Sequence, residues 1–107
     1  MKELFEKLPK LDYKDENASE YVLIDTCFFI HIFENQHEHQ LKELTEKYAT
    51  AMTSFNVDEF LLKEHVVDER VRENVRKFLK HNPNLTIIDV PVQPGNYEAE
   101  KFFVHSI

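Results

Sequence analysis

The stretch Tyr21-Val22-Leu23-Ile24-Asp25-Thr26 decides how this chain reads. Four apolar or aromatic residues run directly into a carboxylate and then a hydroxyl. A second apolar run, Cys27-Phe28-Phe29-Ile30-His31-Ile32-Phe33, follows without a break. The first run is short and partly β-branched, so it reads as a buried strand. Thr26 is placed to cap the helix formed by the second run. Packing alone gives no reason to end a buried strand on an aspartate. In open α/β sheets, ligands bind in the crevice beyond the carboxyl ends of the strands, and Asp25 falls there.

Outward from this stretch the chain alternates. The helix at 27–34 is apolar on nearly every face and is expected to be well buried. Asn35-Gln36-His37 ends it, and a second helix at 38–48 places Leu41, Leu44 and Tyr48 on one face. Residues 49–55, small and hydroxyl-rich, read as a second strand. Helices follow at 56–64, carrying Phe60, Leu61 and Leu62, and at 67–82, with Val71, Val75, Phe78 and Leu79 in register. Asn82-Pro83-Asn84 stops the latter. Residues 85–90 form a third strand around Ile87 and Ile88, Pro91 to Asn96 a loop, and 97–104 the start of another helix. On the other side, Leu4, Phe5, Leu8 and Leu11 suggest a short amphipathic turn or helix limited by Pro9. Residues 12–20 read as a loop. Segment 1–20 is thus expected to be an adapter to a domain at 21–107. Strands alternating with helices imply an α/β fold with a short parallel sheet. The expected form is a three-layer α/β/α arrangement of three strands, cut short at its C-terminal side.

With 107 residues, 42% of them hydrophobic, one domain with a real core is expected. The apolar runs are far shorter than the roughly 20 residues of a membrane helix. The charged N-terminal stretch is no signal peptide. With the single cysteine, Cys27, this points to a reducing cytoplasm. A net charge of −7 argues against a general nucleic-acid coat, which would usually be basic. It is compatible with an enzyme that holds a metal through carboxylates, because magnesium and manganese favour hard oxygen ligands. One glycine, Gly95, leaves no glycine-rich phosphate loop.

The second acid of interest is Glu59, in Thr53-Ser54-Phe55-Asn56-Val57-Asp58-Glu59-Phe60, where the second strand gives way to a helix. If the first two strands are neighbours, Asp25 and Glu59 approach the same end of the sheet. Two carboxylates meeting there repel each other unless a cation lies between them. In this the chain resembles the PIN domain family of metal-dependent nucleases. The matching features are the strand ending Ile24-Asp25-Thr26 with its apolar helix, Thr53-Ser54 followed by Glu59, the helix at 67–82 and the strand Thr86-Ile87-Ile88-Asp89-Val90. The resemblance covers residues 21 to about 104.

It implies a parallel sheet flanked by helices. It also implies an endoribonuclease activity using Mg2+ or Mn2+ held by three or four acids. Members of the family are toxins of toxin–antitoxin pairs or act in RNA processing. By resemblance Asp25 and Glu59 take the first two catalytic, metal-ligating positions, and Thr26 and Ser54 are candidate substrate contacts. The implied partners are RNA, an antitoxin or other protein, or a second copy of the chain. The family's third and fourth acids have no counterpart here, and Asp89 matches neither. The expectation is therefore a nuclease domain that is incomplete or inactive in this form. The alternative is a non-catalytic PIN-like module that binds protein or RNA.

Blander readings stand beside these. Asp25 is also a helix cap, and Asn56 with Glu59 fits a capping box. Arg70, Arg72, Arg76, Lys77 and Lys80 read either as an RNA-backbone strip or as a solvated helix laced by Asp68–Arg72 and Glu73–Lys77 pairs. The second reading is favoured. His37 and His39, two apart on a helix, do not share a face and make no metal pair. Cys27 reads as a small buried hydrophobe, and His31 as a core or rim residue.

Overall fold

The computed structural model describes residues 1–81 and 84–91. The chain runs α1 (Lys2–Glu6), β1 (Lys10–Asp12), a 3-10 turn (Glu16–Glu20), β2 (Val22–Leu23), α2 (Thr26–Glu34), α3 (Glu38–Lys47), β3 (Thr50–Thr53), α4 (Ser54–Lys63), a second 3-10 turn (Glu64–Val66), α5 (Glu69–His81) and β4 (Leu85–Asp89). The four strands form one parallel sheet in the order β1-β4-β3-β2. The α/β architecture and the parallel sheet are as the alternation of apolar runs implied. The loop and helix expected over 92–104 lie outside the described residues.

Strand β1 was not foreseen. Leu11 pairs with Ile88 across the ladder, and the Ile87 N–H donates to the Pro9 carbonyl at 2.8 Å. The adapter expected over 1–20 is woven into the domain, with Phe5, Leu8 and Ala18 all buried. Lys10, the first residue of β1, folds back over the end of α1. Its ammonium donates to the carbonyls of Phe5 (2.9 Å), Glu6 (3.2 Å) and Leu8 (2.9 Å), tying the strand to the turn that precedes it.

Successive residues of a strand point to opposite faces, and the two faces are unequal here. Ile24, Met52, Leu85 and Ile87 meet the helices in the larger core. Within it, phenylalanine rings join four helices. Phe5 of α1 lies 5.8 Å from Phe60 of α4. Phe60 lies 5.6 Å from Phe29 of α2, and Phe33 of α2 lies 5.5 Å from Phe78 of α5. These are edge-on contacts, the geometry favoured by ring quadrupoles. The opposite face is a thin third layer. Leu23, Ala51, Ile88 and Val90 are buried there with Ala18 of the first 3-10 turn, and Leu11, Tyr13 and Tyr21 pack against them.

Helix α2 is less buried than its composition implied. Phe29, Ile32 and Phe33 face inward, but Cys27 and Phe28 are exposed. Cys27 is therefore not the small core residue expected. His31 is exposed at the rim, where its ring meets the Asn35 amide at 3.1 Å. At the end of α2, Gln36 adopts φ 59°. The N–H of His37 reaches back to the Ile32 carbonyl at 2.9 Å, and that of Gln36 to Phe33 at 3.3 Å. This pair of bonds is the Schellman motif, whose left-handed position is usually glycine. No helix among the described residues is long and apolar enough to cross a membrane.

Two predictions follow from these placements. Phe5→Ala should lower unfolding stability in urea by about 3–5 kcal/mol, whereas a free-standing adapter would leave the midpoint unmoved. Gln36→Gly should raise stability by roughly 0.5–1 kcal/mol through relief at the left-handed position, measured by the same urea midpoint.

Candidate functional site

Strands β2 and β3 are adjacent and parallel, so the residues that follow them leave the sheet at the same end. Asp25 follows β2 and caps α2: its Oδ1 accepts from the Phe28 N–H at 2.9 Å. The capping role considered for Asp25 is thus what the fold uses. Its second oxygen has no hydrogen-bond partner among the described residues.

Thr53 ends β3 and caps α4, its Oγ1 accepting from the Asn56 N–H at 3.1 Å. This moves the start of α4 back from the expected Asn56. Asn56 occupies the third helical position rather than the cap, so the box with Glu59 does not form. Glu59 is half-buried, and its carboxylate has no hydrogen-bond partner among the described residues.

The two helix starts are tied together by Thr26. Its hydroxyl, 1% exposed, donates to the Asn56 carbonyl at 2.9 Å and lies 3.3 Å from the Asn56 side-chain oxygen. Asn56 and Glu59 stand three apart on α4 and so share a face. The chain Asp25, Thr26, Asn56, Glu59 therefore links the two acids through one buried contact. Asn56 Nδ2 within it is buried without a partner among the described residues.

Ser54 has a different task. Its hydroxyl accepts from the Val90 N–H at 2.9 Å and donates to the Val90 carbonyl at 3.2 Å, pinning the residue after β4 to the start of α4. Both hydroxyls carried over as substrate contacts, Thr26 and Ser54, are thus occupied in holding elements together.

Among the described residues, no group of three or more His, Cys, Asp or Glu side chains is arranged to hold a metal ion. The edge at which the parallel strands end carries Asp25 after β2 and Asp12 and Asp89, in register, at the ends of β1 and β4, while Glu59 lies in α4 beyond β3. Asp89 ends β4, two strands away from β2. The surface clefts between α3 and α5, α1 and α4, and α2 and α3 are lined by other residues. Phe28 and Phe55, 44% and 43% exposed in the first turns of α2 and α4, were not singled out in the sequence. Only the side of each helix left uncovered brings them to notice.

Comparison with family models, with curated proteins and with solved structures finds no match for this chain. The likeness to PIN domains rests on the residues quoted above.

Capping and carboxylate chemistry can be separated at Asp25. Asp25→Ser keeps a capping oxygen and should change stability by only a few tenths of a kcal/mol, whereas Asp25→Ala should cost about 0.5–2 kcal/mol. Thr26→Val, nearly equal in shape, should cost about 0.5–1.5 kcal/mol by removing the buried hydrogen bond to the Asn56 carbonyl. Thermal unfolding of the three variants checks both.

Proposed function

We propose that this chain supplies the first two acids of a PIN-type, divalent-metal-dependent ribonuclease site. The observation that carries the reading is the joining of the two helices that bear these acids, beside adjacent parallel strands. Asp25 caps α2 and Glu59 lies in α4, and the Thr26–Asn56 hydrogen bond ties one helix start to the other. The donor chemistry fits Mg2+ or Mn2+, hard ions that keep several waters when only one or two carboxylates bind them.

Asp25 and Glu59 would hold the ion. The metal would supply a water of lowered pKa and neutralise charge developing on a phosphodiester. The chain's own residues set the stage. The α2 N-terminus and its Phe28 N–H orient the Asp25 carboxylate through one of its oxygens. Thr26 and Asn56 fix the spacing between α2 and α4, and Ser54 anchors β4 beneath them.

That no three or more His, Cys, Asp or Glu side chains among the described residues are grouped to hold a metal supports a second reading. In it the domain is PIN-like in form but binds RNA or protein without cutting. The two differ in metal affinity. Calorimetric titration of the 107-residue chain with MnCl2 should show roughly millimolar binding, weakened several-fold by Asp25→Ser and by Glu59→Gln. Binding unaltered in both variants, or none in the parent at that concentration, counts against the acid pair and in favour of the binding module.

A further inference from the structure

A cleft lies away from the acids, between α3 and α5. It is an open groove of about 620 Å³. Its α5 wall carries Arg70, Asn74, Lys77 and His81, and its α3 wall His39 and Lys42. The α5 residues recur at intervals of four, three and four, so they form a single row, with donors every ~6 Å at the helical rise. Glu38 is the one carboxylate among the described lining residues. Three permanent cations therefore converge on a chain whose net charge is −7.

The ion pairs of α5 explain why these cations are available. The pairs anticipated from spacing, Asp68–Arg72 and Glu73–Lys77, are not the ones formed. Asp68 instead accepts from the Arg70 N–H at 2.8 Å, at the head of α5. Glu69 and Glu73 are engaged by Arg72 and Arg76, with Arg76 3.1 Å from Glu73 and 3.8 Å from Glu69. Neither Arg70, Lys77 nor Lys42 has an ion-pair partner among the described residues. The helix thus sorts its charges. Glu73, three residues from Arg70 and four from Lys77, engages Arg76 instead, which leaves the cations facing α3 without an ion pair among the described residues.

We infer that the α3–α5 groove is a binding track for a phosphodiester backbone, and that its occupant is single-stranded RNA. A small anion would need one focus of charge. A row of donors at one-turn spacing, open at its ends, suits a repeating polyanion. Gln36 and Glu38 at its mouth follow α2, whereas Asp25 precedes that helix. The nine residues of α2 put roughly 14 Å between them. The track is consequently separate from the acid pair and does not depend on it.

The test uses the full chain in EDTA, so that no divalent ion contributes. The probe is a fluorescein-labelled oligouridylate of about 12 nucleotides, within the usual range of single-strand site sizes. Anisotropy should report binding that weakens with KCl. Arg70→Glu with Lys77→Glu should raise Kd by about tenfold or more. It should also reduce the slope of log K against log salt by about 1.4, the release expected for two phosphate contacts on a single strand. Lys14→Glu with Lys63→Glu makes the same charge change outside the groove and should leave Kd within about twofold. Arg70 and Lys77 are exposed, and unchanged thermal unfolding verifies that the first pair remains folded.

Absence of RNA binding in the parent, or equal weakening by both pairs, overturns the inference. Displacement of the probe by poly-glutamate as effectively as by unlabelled RNA also overturns it, in favour of an acidic protein segment. Because the acid pair is silent without metal, failure here is distinguishable from failure of the nuclease reading.

Discussion

Strand β3 is the constraint on which the rest of the structure depends. All four of its side chains, Thr50, Ala51, Met52 and Thr53, are buried, and its backbone pairs on both edges with β2 and β4. Parallel neighbours cannot be joined by tight turns. Helices α2 and α3 must therefore lie between β2 and β3, and α4 and α5 between β3 and β4. Met52 meets the phenylalanine-rich core on one face, while the small Ala51 lets the thin layer around Ala18 close on the other. Thr53 then ends the strand and starts α4 with the same side chain. The position of Glu59 is thus a consequence of where β3 stops.

Most of the architecture was legible because buried strands and amphipathic helices leave different periods in the sequence. What was not legible depends on contacts far apart in the chain. Lys10-Leu11-Asp12 has one apolar residue between two charged ones, so nothing local marks it as a strand. Its identity comes from pairing with residues nearly eighty positions later. In Thr53-Ser54-Phe55-Asn56 there are three capping residue types, and the sequence does not choose between them. The tertiary bonds of Ser54 to Val90 and of Asn56 to Thr26 fit a helix that begins early. The apolar run at 27–34 concealed its outer face for the same reason: when every position is hydrophobic, only the packing reveals that Cys27 and Phe28 are left outside.

The electrostatics of the site and of the groove follow one logic. An acidic chain that concentrates carboxylates at the sheet edge repels polyanions there unless cations intervene. The cations of α5 that face α3 provide a region of opposite sign, lined by residues that follow α2 rather than precede it. Helix α5 separates its charges through local pairing. Glu69 and Glu73 pair with Arg72 and Arg76; Glu73 also lies three residues from Arg70 and four from Lys77, but Arg76 is the cation it engages.

Gln36 brings these themes to a single residue. A left-handed backbone would be most relaxed with hydrogen as the side chain, and the chain instead keeps a long amide at the corner joining α2 to α3. That corner sets the angle at which α3 departs, and with it the width of the channel that Glu38, His39 and Lys42 face. A hinge built this way is held under slight tension by its own side chain. Relaxing the corner would make the protein sturdier and at the same time remove a hydrogen-bonding group from the channel entrance.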